Sequence, residues 1–242
     1  GKGARLDLES LDVAMLSPVV GRACHVDVGV AAAGRGVPFA VYEDEPGSLI
    51  AFALSSQQYA TAMREKRTDA NGVVSGNMAG AQLDEENNLK LAFESRGLDG
   101  GVKFTCKMYC ARQFQDLRRA YCGDSAAENE DMLLSLSRCR KWVPTGGKSH
   151  AAYMKTKDER FVLKEISVRE QKHFLSTAVE YFEFVKRTLP PDASLPSCLV
   201  KIFGVYKVGW KHHKSGKSTS QVFIVMENLL FTAHRLEHPV AR

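Results

Sequence analysis

From residue 160 to 166 hydrophobic and polar positions alternate, so that Val162 and Lys164 share one face of a strand and Phe161 and Leu163 share the other. Residues 151–154 read as a short partner strand, with 155–159 as the polar turn between them. Past Ile166 the period lengthens. Phe174, Ala178, Tyr181 and Val185 form one stripe of a helix expected over residues 168–188, stopped by Pro190 and Pro191. Two more strands follow, at residues 199–208 and 221–226. The second is apolar throughout, as in a strand buried on both faces, and turns polar at Glu227 and Asn228.

Upstream, residues 104–109 read as a strand. A helix with Phe114, Leu117 and Tyr121 on one face comes next and is closed by Gly123. A second helix is expected over residues 128–141, with Glu128, Glu130 and Asp131 at its start and Arg138, Arg140 and Lys141 at its end, as the helix dipole favours. Residues 89–94 suggest a short strand. Residues 43–67 carry a helical pattern at Leu49, Phe52 and Ala53, with Pro46 where a helix tolerates proline. The elements together predict an α+β fold, an antiparallel sheet with packed helices.

Residues 1–37 are rich in Gly, Ala and Val without a clear period and read as a poorly defined leader. Residues 38–101 divide into a docking helix and an acidic, Asn- and Gly-rich linker, which places a boundary near Gly101. Residues 102–242 then form the main domain.

Composition is ordinary for a globular protein, with 44% hydrophobic and 25% charged residues. No apolar run approaches the roughly 18 to 20 residues of a membrane-spanning helix, so a soluble or peripheral protein is expected. Cys24, Cys106, Cys110, Cys122, Cys139 and Cys198 form no CxxC pair and read as reduced thiols of the cytosol. The net charge of +5 is unevenly distributed. The chain is net acidic up to residue 102 and net basic beyond it, so the second part suits an anionic partner. Lys211, His212, His213, Lys214 and Lys217 make one hairpin tip strongly basic, as a solvated loop or as a contact for anionic lipid. Basic residues are not interleaved with aromatics in a recognisable module, so no nucleic-acid partner is expected.

The chemistry concentrates between Pro144 and Ile166. Gly146 and Gly147 have no Cβ to keep a phosphate away from backbone N–H groups, and a lysine-bearing strand follows closely. Gly147-Lys148-Ser149 imitates the end of a P-loop, but that motif needs a glycine five positions before Gly147, where Trp142 stands. Lys164 is a point charge on the open side of its strand, suited to phosphate. At 100° per residue Glu170 shares the stripe of Phe174, whereas Glu180 and Glu183 point away, so Glu170 either pairs with Lys164 or lies exposed in the first helical turn. His234 and His238 stand four residues apart but lack a third ligand, so no metal site is expected.

Strand, two helices, glycine turn, lysine hairpin, long helix and two strands follow the order of a kinase small lobe. The blocks KFTCKMYCARQFQDLRRAYCG, LSLSRCRKWVPTGGKSHAAYMKTKDERFVLKEI, VEYFEFV, LVKIFGVY and VFIVMENLLF, with VYEDEPGSLIAFALSSQQY upstream, resemble the phosphatidylinositol phosphate kinase family. Within it they are similar to the phosphatidylinositol 3-phosphate 5-kinases of endosomal and vacuolar membranes. The resemblance implies the small lobe of that kinase fold and a chain cytoplasmic but peripheral to membranes. It implies that Gly146, Gly147, Lys148 and Ser149 lie over the phosphates of ATP, that Lys164 binds them with Glu170 as its partner, and that Val162, Met226, Glu227, Asn228 and Leu229 line the adenine site. The reaction implied is transfer of the γ-phosphoryl of Mg-ATP to the 5-hydroxyl of phosphatidylinositol 3-phosphate, with a scaffold protein as a further partner. The residues after Phe231 do not follow the family pattern. The large lobe, with its catalytic and Mg-binding aspartates, is therefore expected to be missing from these 242 residues, which alone would be inactive. The alternative is a noncatalytic module that binds anionic membranes or a partner.

Overall fold

The computed structural model describes residues 23–24, 41–42, 45–68, 87–95, 102–122, 126–143, 151–189, 194, 197–211, 216 and 218–231. In chain order these form β1 (Ala23–Cys24), β2 (Val41–Tyr42), α1 (Pro46–Ser55), α2 (Gln57–Thr68), β3 (Leu89–Ser95), β4 (Val102–Tyr109), α3 (Ala111–Cys122) and α4 (Ala126–Ser137). They continue as β5 (Cys139–Trp142), β6 (Tyr153–Thr156), β7 (Phe161–Ile166), α5 (Val168–Ser176), α6 (Ala178–Lys186), β8 (Ile202–Lys211) and β9 (Ser218–Glu227). Seven strands make one antiparallel sheet in the order β3-β4-β8-β9-β7-β6-β5, and β1 pairs with β2 separately. The α+β class expected from periodicity is the class observed.

The core lies on the sheet face that carries Leu163, Phe223 and Tyr206, all essentially without solvent contact. The first helix carries no charged residue and few polar ones, and every residue from Pro46 to Leu54 is buried, as such a pattern demands. It sits so close to the sheet end that a Cβ on Gly47 would meet the Cys139 sulfur at 2.5 Å and the Leu136 carbonyl at 2.8 Å. Phe52 packs edge-on against Phe93 and Phe104, with centroids 5.0 and 5.8 Å away, which adds about 0.5–1.5 kcal/mol per pair beyond area burial. Residues on both sides of position 101 thus enter one core, and β3 and β4 are hydrogen-bonded neighbours across it.

Three elements differ from the periodic reading. The helix expected to reach residue 141 ends at Ser137, and Arg140 and Lys141 lie on β5, paired with Lys155 and Met154. Basic residues suit a helix C-terminus and an exposed strand equally, so charge could not place the boundary. The helix expected over 168–188 is broken at Thr177, whose φ of −115° and ψ of 10° are not helical. There the hydroxyls of Ser176 and Thr177 donate back to the His173 carbonyl at 2.8 and 3.3 Å, and such back-bonding bends helices. Lys155 belongs to β6 rather than to the turn that follows it. The two halves of the broken helix still reach one core, because Phe114 of α3 packs against Phe174 and Phe182 at 6.1 and 4.9 Å.

Cysteines 106, 110, 122, 139 and 198 are free thiols. Burial pushes the thiols of Cys106, Cys110 and Cys139 up to about 12, which makes them inert packing groups. No helix among the described residues is long and apolar enough to cross a membrane.

Candidate nucleotide site

Register builds the site. Directly opposed residues of antiparallel strands share a face, and β7 lies between β6 and β9, with Val162 opposite Lys155 and Met226 and with Lys164 opposite Tyr153 and Ile224. One sheet face therefore carries Lys155, Val162 and Met226 in one row and Tyr153, Lys164 and Ile224 in the next. Val162 is buried and Met226 half-buried, which gives an apolar floor beside the Lys164 ammonium.

The lysine is held by the start of the next helix. Ser167 follows β7 directly and caps α5, its hydroxyl accepting from the Glu170 N–H at 3.1 Å while the Glu170 carboxylate accepts from the Ser167 N–H at 2.7 Å. This reciprocal box satisfies two otherwise orphaned helix donors. It leaves the other carboxylate oxygen free to accept from Lys164 Nζ at 3.1 Å. The two expectations for Glu170 coexist, since it pairs with Lys164 and is also an exposed first-turn glutamate, 51% accessible. Hydrogen bonds from the Ser167 backbone and hydroxyl, and then from Lys164, hold its carboxyl below the ordinary carboxylate value.

That shift fixes a pH dependence. A folded-state value below the unfolded one contributes stability above the unfolded pKa, and the contribution is lost as pH falls through the folded value. Lowering pH from about 5 should therefore release the cap and free Lys164. Glu170→Gln is expected to flatten the acid limb of a plot of Tm against pH without moving Tm at neutral pH by more than a few degrees, and an unchanged acid limb would contradict the assignment.

The remaining expected residues separate. Gly146, Gly147, Lys148 and Ser149 lie outside the described residues. Glu227 stands opposite Phe161, on the face away from Lys164. Its carboxylate accepts from the Lys201 N–H at 2.8 Å, from the Tyr121 hydroxyl at 3.0 Å and from Lys201 Nζ at 3.4 Å. The Asn228 side chain points to the β6–β7 turn, where its Nδ2 donates to the Glu159 carbonyl at 2.6 Å. Leu229 is 63% exposed at the strand end. Any ligand of this edge therefore meets main chain and the Met226 and Leu229 side chains rather than the Glu227 carboxylate.

The structure adds residues that the periodic reading passed over. Lys155 is buried, with Nζ 4.6 Å from the centre of the Trp142 ring and 4.0 Å from the Glu159 carboxylate. Arg140 pairs with the same glutamate. Extending the alternation of β7 back through Tyr153 and Lys155 would have exposed this second cation. Among the described residues no three acidic, histidine or cysteine side chains come together in a metal-binding group. These strands carry the cations Lys155 and Lys164 and, among the described residues, no carboxylate set that would hold Mg2+.

Comparison with known proteins decides the family. Residues 135–239, which contain β5 to β9 and both Lys164 and Glu170, match the family described as Phosphatidylinositol-4-phosphate 5-Kinase, so residues 232–239, expected to depart from the family pattern, fall within the match. Over 228 residues the chain is 31% identical to a 1-phosphatidylinositol-3-phosphate 5-kinase of Arabidopsis thaliana, an alignment covering 79% of this chain and 13% of the relative. The chain belongs to the phosphatidylinositol phosphate kinase family. It is also 37% identical to the 1-phosphatidylinositol 3-phosphate 5-kinase of Saccharomyces cerevisiae over 145 residues, covering 60% of the chain and 6% of that protein. The mouse 1-phosphatidylinositol 3-phosphate 5-kinase is 35% identical over 133 residues, 55% of the chain and 6% of the relative. The chain thus spans 13% or less of the length of these relatives. The family match begins at Ser135, the α4 residue whose hydroxyl donates to Asp158 at 2.7 Å, and so takes in the whole sheet half that carries Lys164.

Proposed function

We propose that this chain is the ATP-binding small lobe of a lipid kinase that phosphorylates the 5-hydroxyl of phosphatidylinositol 3-phosphate. The observation that carries the reading is Lys164, paired with Glu170 at 3.1 Å and set on the same sheet face as Val162 and Met226. In phosphoryl transfer the protein contributes positioning and charge neutralisation, and a lysine aligned by a helix-borne glutamate beside an apolar base-binding strand supplies both for the nucleotide. Val162 and Met226 would cover the adenine, the Leu229 backbone would meet its edge, and the Gly146–Ser149 turn would close over the phosphates. The catalytic and Mg-binding carboxylates belong to other parts of the kinase, so the chain alone is expected to bind ATP without turning lipid over. Isothermal titration of Mg-ATP into the chain tests this. Saturable one-to-one binding is expected, and no heat at millimolar nucleotide would overturn it.

A second reading, contact with an anionic membrane at the cytoplasmic face of an endosome or vacuole, is favoured by one observation. Register sets Lys90, Lys107 and Lys207 abreast across β3, β4 and β8. Like charges so placed cost stability by themselves and suit a surface of phosphates. Sedimentation with vesicles containing phosphatidylserine, with and without phosphatidylinositol 3-phosphate, is expected to show binding that Lys90→Glu with Lys207→Glu weakens at least tenfold. Equal binding to neutral vesicles would remove the membrane from this face.

A further inference from the structure

We infer that Asn228 is a positioning residue for the nucleotide base, acting as a brace between the end of β9 and the β6–β7 turn. The inference rests on the nucleotide reading above and deepens it.

The brace starts from a turn held by many hydrogen bonds. Asp158 accepts hydrogen bonds from Ser135 Oγ and Thr156 Oγ1, both at 2.7 Å, from the Arg160 N–H at 3.2 Å and from Arg160 Nε at 2.6 Å. Partial burial alone would raise its carboxyl, but these bonds hold it below the ordinary value. Arg160 Nη2 donates to the Asp131 carbonyl at 2.7 Å, and the Lys157 N–H donates to the Arg138 carbonyl at 3.0 Å. The turn is thereby bonded to α4 and to Arg138, the residue between α4 and β5.

Within this turn Glu159 has φ of 64°, a left-handed conformation that a glutamate adopts only when its surroundings impose it. Its carbonyl accepts from Asn228 Nδ2 at 2.6 Å. The Asn228 N–H donates to the Arg160 carbonyl at 2.9 Å, and its Oδ1 accepts from the Leu230 N–H at 3.2 Å. Asn228 is itself buried, 8% accessible, whereas the adjoining Leu229 and Leu230 are 63% and 57% exposed. One buried amide thus ties an exposed strand end on both sides, to a fixed turn behind and to the chain ahead. Leu229 lies between those two anchors, so the brace orients the exposed main chain at which a base would be met. The phosphate end of the site depends on a different device, the Ser167 cap and Lys164. The two ends are therefore separable by substitution.

The experiment compares Asn228→Asp and Asn228→Ala with the unaltered chain, titrating ATP and inorganic tripolyphosphate and checking each fold by circular dichroism. Asp keeps the acceptor for Leu230 but cannot donate to the Glu159 carbonyl, and Ala removes both bonds. ATP affinity is expected to fall at least tenfold in both variants while tripolyphosphate affinity stays within twofold. A merely structural role would lower both affinities in parallel, and that result would overturn the brace, as would ATP affinity unchanged in either variant. An unaltered chain that binds neither ligand would overturn the nucleotide reading itself.

Discussion

Arg118→Met is expected to lower the stability of the fold by about 3–5 kcal/mol, the range for removing one partner of a buried polar cluster. Arg118 is only 7% accessible. Its Nη1 donates to the Phe203 carbonyl at 2.8 Å and to the Tyr206 hydroxyl at 3.1 Å, and its Nη2 donates to the Tyr59 hydroxyl at 2.8 Å. The guanidinium thus joins α2, α3 and β8 in one buried contact. Among the described residues no carboxylate faces it, and burial pushes the Tyr206 phenol well above its usual range, so that partner stays neutral. Two effects compete. Methionine fills most of the volume and spares the cost of burying a cation, which by itself would stabilise. The three acceptors remain behind, however, each costing about 1–3 kcal/mol when buried without a donor, and the Tyr206 hydroxyl can reach only the Phe203 carbonyl, at 3.5 Å. The loss should win, with Tm falling by about 10 °C in a domain of this size. Adding Tyr59→Phe and Tyr206→Phe removes two orphaned hydroxyls and should recover part of the loss, a coupling that thermal melts of the set would measure. An Arg118→Met protein as stable as the original would mean that desolvation of the guanidinium already cancels its hydrogen bonds.

This cluster also shows where sequence pattern loses its hold. Alternation marks β7, and the continuous apolar run of residues 222–226 marks β9. The stripe of Phe174, Ala178, Tyr181 and Val185 was legible too, although it ran through a break that depends on the Ser176 and Thr177 hydroxyls. Arg118 sits in an amphipathic helix as an ordinary cation would, and nothing in its neighbours signals that its acceptors lie at Tyr59, Phe203 and Tyr206, up to 88 positions away. Asn228 is similar, since its partner is a main-chain carbonyl that any residue at 159 could supply. The stripe of Leu49, Phe52 and Ala53 predicts α1, but it does not reveal that every residue from Pro46 to Leu54 is buried.

The Lys164–Glu170 pair was legible because its geometry is local. Lys164 and Glu170 are six positions apart across a strand-to-helix junction, close enough for spacing to bring them together. Glu227 lay beyond that reach. Strand alternation turns its carboxylate to the face of Tyr121 and Lys201, where it fastens α3 to the residue just before β8. Lys155, hidden beneath Trp142, gives the site a second cation whose charge is partly committed to Glu159.

Lys164→Met should separate ligand binding from folding more sharply than any other single change in the site. In the folded chain the Lys164 ion pair is partly exposed, at 24% and 51% for its two side chains, so its contribution to stability is on the order of 1 kcal/mol or less. Methionine keeps the apolar stem beside Val162, and Glu170 retains its bonds to Ser167, so Tm should move by no more than about 3 °C. Against a nucleotide the balance reverses. Removing a charge that meets phosphate in a partly dry site costs about 2–5 kcal/mol, which is at least a 30-fold loss of ATP affinity. Tripolyphosphate binding should fall in parallel, unlike in the Asn228 variants, because the lost contact serves phosphate and not the base. Glu170→Gln should weaken ATP only a few-fold, since glutamine can still accept from Lys164. The difference between the variants should narrow at high salt, as screening of an accessible charge requires. Full ATP affinity in a folded Lys164→Met protein would take this lysine out of the site and leave Lys155 as the cation that faces the phosphates.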